Sequence, residues 1–147
     1  MKTFQLTVLA FFISLSVFAQ TKKPVVKPKP KVAAAPLAKA SLIAGKTVYD
    51  TYCISCHLAD GGGVTNLNAP LIKTSFVLGA KPTLINILLN GMQGVEIDGE
   101  TYANVMPSQD FLTDKQIADV LTYVRNNFGN KASAVTVAEV AAVRKKK

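Results

Sequence analysis

The chain has 147 residues, about one domain, and its 49% hydrophobic and 18% charged content excludes a mainly disordered protein. Its net charge of +8 is concentrated at the two ends: residues 21–40 hold six lysines and no acid, and residues 144–147 add four positive charges. Residues 41–143 carry six basic against nine acidic side chains, so this part has a charge of −3. The basic segments contain no aromatic residue, which disfavours nucleic-acid binding.

The N-terminal segment has the pattern of a cleaved secretory signal. Lys2 precedes a mainly apolar run over residues 6–18, and the small Ala19 is followed by a polar residue. The run is too short for a membrane-spanning helix, which needs about 20 residues. We therefore predict a signal peptide over residues 1–19 and a periplasmic or secreted mature chain. The residue directly after Ala19 is Gln20 and not Cys, so a lipoprotein anchor is not supported.

Residues 20–40 form a basic segment rich in Lys, Pro, Val and Ala. Proline lacks the backbone donor that helices and sheets need, so this composition favours an extended, solvated linker. A second interpretation is peripheral contact with anionic lipid headgroups or an acidic partner, since each Lys near a charged surface contributes about 1 kcal/mol. Composition leaves both interpretations open.

The next segments predict a mostly α fold, because no run shows sustained period-two alternation. Four helices are predicted. The first runs from an N-cap at Ser41 to Cys56, with Ile43, Thr47, Tyr49 and Tyr52 at near-helical spacing, and the second runs from Pro82 to Gly91. The third begins with a Thr113–Gln116 capping box and ends by Phe128-Gly129-Asn130, and a short fourth helix follows a Thr136–Glu139 capping box. The glycine-rich residues 60–63 predict a loop. We expect a folded domain over residues 41–130, followed by a helix and basic tail over 131–147.

One motif points to specific chemistry: Cys53-Ile54-Ser55-Cys56-His57. C-x-x-C-H in an exported chain is the attachment signature of c-type haem. Residues three and four apart share one helix face, so both thiols can bond to the porphyrin edge while the imidazole reaches the iron. We therefore predict one haem c per chain, covalently attached through Cys53 and Cys56 and ligated by His57.

Three other uses of these residues are less compatible with the sequence. Structural zinc needs four protein ligands, whereas the chain has two Cys and one His in total. A thioredoxin-like pair would follow a strand, and none is predicted before Cys53. A plain disulfide is compatible with export but leaves the adjacent His57 without a role.

The composition of the chain limits which residues can be the sixth ligand of the iron. His57 is the only His, so bis-His ligation is excluded, and Met92 and Met106 are the methionines that follow the predicted signal. We prefer Met106, because Pro107 restricts the backbone just past it. Met92 is expected to be a core filler, the commoner use of Met, although it remains the competing candidate.

Together these residues resemble the class I c-type cytochromes from about Ser41 to Asn130. The resemblance rests on the C-x-x-C-H motif, Gly45, Tyr49, Asn68-Ala69-Pro70-Leu71, Met106-Pro107 and the segment 112–125. It implies an all-α class I cytochrome c fold, with three core helices around one haem and a short C-terminal helix. It also implies that the first and third helices cross at Gly45, with Tyr49 or Tyr123 filling the contact. The Pro70 carbonyl is then expected to accept a hydrogen bond from His57.

The expected function is one-electron transfer by a non-enzymatic carrier of positive reduction potential, because His57 and Met106 would fill both axial positions. Residues 90–94 and 128–130 resemble cytochrome domains that serve quinoprotein dehydrogenases and copper nitrite reductases. An electron-accepting subunit of one such enzyme is therefore an alternative, and a gas-binding haem protein is another. Expected partners are a redox donor and acceptor, such as a dehydrogenase, terminal oxidase or reductase. The Lys-rich docking face of mitochondrial members is not evident in the acidic core.

Overall fold

The computed structural model describes residues 39–146, and this part is helical. Its elements are α1 (Lys39–Tyr52), α2 (Ile54–His57), α3 (Ser75–Leu78), α4 (Lys81–Asn90), α5 (Asp114–Arg125) and α6 (Val137–Arg144). Only isolated bridges, and no β-strands, occur within these residues, so the all-α prediction is confirmed. The predicted signal and nearly all of the basic linker lie outside the described residues. None of the described helices is long and apolar enough to cross a membrane.

The core is organised by the crossing of α1 and α5. A side chain at Gly45 would overlap the Asp119 carbonyl and approach the Tyr123 Cβ to 2.7 Å, so only glycine allows the two helices this close. The rings of Tyr49 and Tyr123 lie 5.5 Å apart beside the crossing, and Tyr49 is only 1% exposed. Phe128 completes an aromatic cluster with both rings. The expected close approach at Gly45 is confirmed.

The first helix differs from the prediction at both ends. Lys39, the first described residue, is already helical, so Ser41 lies within α1, and its hydroxyl donates to the Asp119 carboxylate instead of capping the helix. Helical geometry is interrupted at Cys53 and resumes in α2, although the Cys53 N–H still donates to the Tyr49 carbonyl at 2.9 Å. Ile43 is 60% exposed, so the expected apolar face is shifted towards Gly45, Val48 and Tyr49.

The capping signals placed the later helices well. The Thr113–Gln116 and Thr136–Glu139 boxes each make both reciprocal hydrogen bonds at the starts of α5 and α6. Gly91 ends α4 with a φ of 75° and a ψ of −174°, so it has the positive φ expected of a glycine but not the αL conformation of the usual C-cap. Any Cβ there would collide with the Met106 carbonyl. The third predicted helix ends earlier than expected, since α5 stops at Arg125 and a short turn leads to Phe128.

The C-terminal helix α6 closes over α4 and α5. Val140 is fully buried, and Lys81 reaches across from α4 to the Glu139 carboxylate at 3.0 Å. Arg125, at the end of α5, is 3% exposed and donates to three backbone carbonyls of neighbouring segments. The added helix therefore shares one continuous core with the other helices.

One short helix was not predicted. Its four residues, Ser75–Leu78, are too few to show a periodic apolar pattern. Thr74 caps it by accepting a hydrogen bond from the Val77 N–H at 3.3 Å. Asp98, on a tight turn 23 residues later, accepts a hydrogen bond from the Ser75 N–H at 3.0 Å and so provides a second acceptor at the start of this helix. Such a tertiary contact has no local sequence signature.

Candidate functional site

The C-x-x-C-H residues lie at the junction of α1 and α2. The His57 N–H donates to the Cys53 carbonyl at 3.0 Å, which turns the segment through one helical turn. Cys53, Cys56 and His57 consequently border one cavity, as the helical spacing predicted. The two cysteines are free thiols rather than a disulfide, and burial, followed by the nearby Cys56, raises the pKa of the Cys53 thiol to about 11.

The imidazole of His57 is oriented by one backbone acceptor. Its Nδ1 lies 2.9 Å from the Ala69 carbonyl, which leaves Nε2 as the ring nitrogen available to a metal. The expected acceptor, the Pro70 carbonyl, was therefore wrong by one residue. The Ala69 carbonyl is positioned by a preceding turn in which Val64 and Asn68 exchange backbone hydrogen bonds of 2.8 and 2.9 Å.

The surroundings of the same imidazole also lower its pKa. Burial lowers the pKa of His57, because the charged ring would lose its hydration, and the hydrogen bond to Ala69 only partly opposes this effect. A neutral ring has a free lone pair for a metal. Behind it, the Tyr49 hydroxyl donates to the Leu58 carbonyl at 2.6 Å and fixes the end of α2.

A second cavity adjoins the first and shares Cys53, His57, Ala69, Met92, Met106 and Gln109 with it. We call the first the outer part and the second the inner part of the cavity. The inner part is almost entirely apolar. It extends between α4, α5 and the segment after Ala69 and is lined by Leu71, Phe76, Val77, Leu84, Ile87, Leu88, Ile97, Leu112, Val120, Leu121 and Val124. Thr74 and Gln109 add the few polar side chains of the inner wall. Such a lining suits a flat aromatic macrocycle, because little of its surface requires hydrogen bonds.

Both candidate methionines lie in the cavity wall. Met92 and Met106 each border the inner and outer parts of the cavity. Met106 also packs against the buried core, and the segment just past it is fastened to α4 by Ser108, whose hydroxyl donates to the Leu89 carbonyl at 2.8 Å. Met92, which the sequence predicts to be a core filler, thus borders the cavity as Met106 does.

The residues present fit a c-type haem. Two thiols, one imidazole and two thioethers border the mainly apolar cavity, and these are the kinds of group that attach and ligate such a haem. Among residues 39–146, no group of three or more His, Cys, Asp or Glu side chains is gathered in a way that could hold a metal ion by itself.

A family model described as Cytochrome c matches residues 42–128, more than half of the chain. The chain belongs to the cytochrome c family. This cytochrome is 30% identical over 95 residues to Cytochrome c-555 of Prosthecochloris aestuarii, a match that covers 96% of that protein and 65% of this chain.

Larger relatives share the same domain. The chain is 35% identical over 105 residues to the cytochrome c subunit of a quinone alcohol dehydrogenase from Gluconacetobacter polyoxogenes. It is 37% identical over 108 residues to the gluconate 2-dehydrogenase cytochrome c subunit of Pantoea cypripedii. Both matches cover 69% of this chain but only 22% and 24% of those subunits, so it spans about a quarter of their length or less.

Family membership establishes the chemistry of the motif. This cytochrome c domain has an all-α class I fold and binds one haem c covalently through Cys53 and Cys56. The zinc, thioredoxin-like and disulfide interpretations are thereby set aside. Sequence reasoning missed the Ala69 acceptor and the contacts of Asn68 with Asn104, because neither a backbone carbonyl nor an exposed amide pair has a recognisable motif.

Proposed function

We propose that the protein is an exported one-electron carrier whose haem is ligated axially by His57 and Met106. The observation that supports this most directly is that the Cys53-x-x-Cys56-His57 motif and Met106 border the same apolar cavity. With both axial positions filled by protein, no position is left for a substrate. The chain is then not an enzyme, and its task is to hold the haem while electrons pass.

The protein groups have separate roles in this proposal. The Ala69 carbonyl holds the His57 ring in one orientation and increases its basicity, since it accepts the hydrogen bond from Nδ1. The bound haem supplies an iron that gains and loses one electron. A thioether ligand raises its reduction potential relative to two nitrogen ligands, and the apolar walls around it influence the potential further. A positive-potential carrier is expected.

Met106 is preferred over Met92 for reasons that the fold supports. Met106 packs on the buried core, and the next residue is Pro107, which restricts the backbone. Met92 directly follows Gly91, whose positive φ ends α4, and it lies outside the set of side chains packed on the core. A rigidly held sulfur is the better ligand because less conformational freedom is lost on coordination.

Export to the periplasm is part of the proposal and rests on the predicted signal over residues 1–19. Partners are proposed only by class: a dehydrogenase as donor and a terminal oxidase or reductase as acceptor. The names of the relatives, which include cytochrome subunits of dehydrogenases and of a cbb3-type oxidase, support this class. They equally favour the alternative that the chain is the electron-accepting subunit of one such enzyme.

Two measurements on the exported protein test the proposal. After acid and organic extraction, the haem should remain with the polypeptide, and extractable haem would contradict covalent attachment. The reduced protein at neutral pH should show no spectral change with carbon monoxide. Prompt binding would instead support the gas-binding alternative. Copurification of the native protein with one dehydrogenase or reductase would identify a subunit instead of a diffusing carrier.

The role of the basic linker is tested separately. A deletion of residues 21–38 removes five of the linker lysines and no residue that the structure describes. If this segment contacts lipid, the deletion should release the protein from membranes that contain anionic lipids. Unchanged retention would leave the segment as a spacer.

A further inference from the structure

Two loops that border the cavity mouth are joined by three hydrogen bonds. One loop, residues 66–69, follows the haem attachment motif, and the other, residues 103–106, ends at Met106. The Ala103 N–H donates to the Asn66 carbonyl and the Asn104 N–H to the Leu67 carbonyl, both at 3.0 Å. In addition, the Asn104 side-chain amide donates to the Asn68 side-chain oxygen at 3.0 Å. We call these three bonds the loop clamp.

The loop clamp connects both proposed axial ligands. Ala69 accepts the hydrogen bond from His57, and Asn68 precedes it directly. In the other loop, one residue separates Asn104 from Met106. Asn68 and Asn104 both border the cavity mouth. Any movement of the Met106 loop away from the iron must therefore stretch or break the clamp.

The two flanks of Met106 are held differently. The flank after it is fastened to α4, where the Gln109 N–H donates to the Leu88 carbonyl at 2.7 Å and the Ser108 hydroxyl to Leu89. The flank before it is exposed, with Val105 53% exposed, and the clamp fastens this flank to the other loop. Opening would thus begin at Asn104.

We propose that Asn68 and Asn104 are positioning residues that keep the Met106 sulfur on the iron and so exclude external ligands such as carbon monoxide. The inference rests on the proposed function, with Met106 as sixth ligand. External binding exchanges one neutral ligand for another: the Met106–iron bond breaks, the bond from the incoming ligand forms, and no electron is transferred. Its rate follows the fraction of molecules whose loop is open.

The expected effect is moderate, because the backbone part of the clamp remains when a side chain is removed. Loss of one neutral hydrogen bond of ordinary strength should raise the open fraction about three- to tenfold. The test measures carbon monoxide association with the reduced, haem-loaded protein for Asn68→Ala, Asn104→Ala and the double variant. All three should bind faster than the parent by a similar factor, since the double variant loses the same single bond.

Conservative variants separate positioning from general destabilisation. Asn68→Asp keeps an acceptor for Asn104 and should bind carbon monoxide as slowly as the parent. Adding Asn104→Asp places two carboxylates at this contact, and their repulsion should give the fastest binding of the set. Asn126→Ala is the matched control, because its amide donates to the Thr122 carbonyl at 3.0 Å on α5, away from the cavity. Its binding rate should equal that of the parent.

Two failures are distinguishable. If the Asn68 and Asn104 variants all bind at the parental rate while Met106→Ala binds promptly, the positioning role is wrong and Met106 ligation stands. If Met106→Ala also behaves like the parent, Met106 is not the ligand and the proposed function fails at that point. Equal acceleration in Asn126→Ala would show that the effect is global, which also overturns the positioning role.

Discussion

The backbones of Met92 and Met106 exchange two hydrogen bonds of 2.9 Å, so the two residues lie directly opposite each other in an antiparallel bridge. Side chains of directly opposed residues project to the same face. Both methionine side chains accordingly border the cavity. The pair joins the end of α4 to the loop before α5 through backbone groups, so both methionine side chains are placed at the cavity.

This pairing makes a direct comparison of the two methionines informative. We expect Met106→Ala to lose the methionine-to-iron charge-transfer absorption of the oxidised protein, to bind carbon monoxide when reduced and to have a lower reduction potential. Met92→Leu, which conserves volume, should keep all three parental properties. Visible spectroscopy and redox titration provide the measurements. The opposite pattern would assign the sulfur ligand to Met92.

The crossing at Gly45 should tolerate no side chain. Gly45→Ala places a methyl group against the Asp119 carbonyl and 2.7 Å from the Tyr123 Cβ, so α1 and α5 must separate. We expect a loss of about 3 kcal/mol in the free energy of unfolding, measured by urea denaturation. Gly62→Ala is the control, because its nearest neighbour is the movable Asp60 carboxylate at 3.1 Å. A parental midpoint for Gly45→Ala would contradict the close crossing.

Arg125 should be important for stability rather than for electron transfer. Its guanidinium donates to the carbonyls of Ser133, Val77 and Gly79 at 2.9, 2.6 and 3.1 Å. Arg125→Ala leaves these acceptors without their donor, and we expect the free energy of unfolding to fall by about 3 kcal/mol. Arg125→Lys should recover part of it, since an ammonium group can reach fewer carbonyls.

Chemical denaturation of both Arg125 variants gives the measurement, and exposed Lys131→Ala serves as the control. The reduction potential should stay near the parental value in all of them, because Arg125 does not border the cavity. A large potential shift without loss of stability would contradict a structural role.

The ion pair between Lys81 and Glu139 predicts a pH-dependent contribution to stability. Burial acts to raise the pKa of Glu139, but hydrogen bonds from Thr136 and Lys81 outweigh it and lower that pKa below the ordinary 4.5. A depressed folded-state pKa gives stability that is present above 4.5 and lost as pH falls through the folded value. The stability that Glu139 contributes is therefore lost on acidification.

Glu139→Gln keeps the capping box but removes the charge. Because the Glu139 side chain is 38% exposed, we expect the substitution to lower the free energy of unfolding by only about 0.5 kcal/mol at neutral pH. The difference from the parent should shrink as pH falls below 4.5, which urea denaturation over a pH series would measure. A difference that stays constant or grows on acidification would refute this assignment.

Local signals in the sequence were sufficient for much of the architecture. The capping boxes at Thr113 and Thr136 act within four residues, and the structure contains both in full. Ser41 shows the limit of such signals. It has the side chain of an N-cap, but its hydroxyl donates to Asp119, which is 78 residues away in sequence.

By itself the sequence determined the covalent chemistry of this protein, because C-x-x-C-H places its thiols and imidazole on one face within five residues. Only the tertiary structure decided which groups surround them. The Ala69 carbonyl that orients His57 lies 12 residues away, and Asn68 meets Asn104 across 36 residues. Met92 and Met106 became neighbours through a backbone bridge that side-chain identity does not encode. Such contacts depend on how whole segments pack, and a local pattern carries no information about that packing.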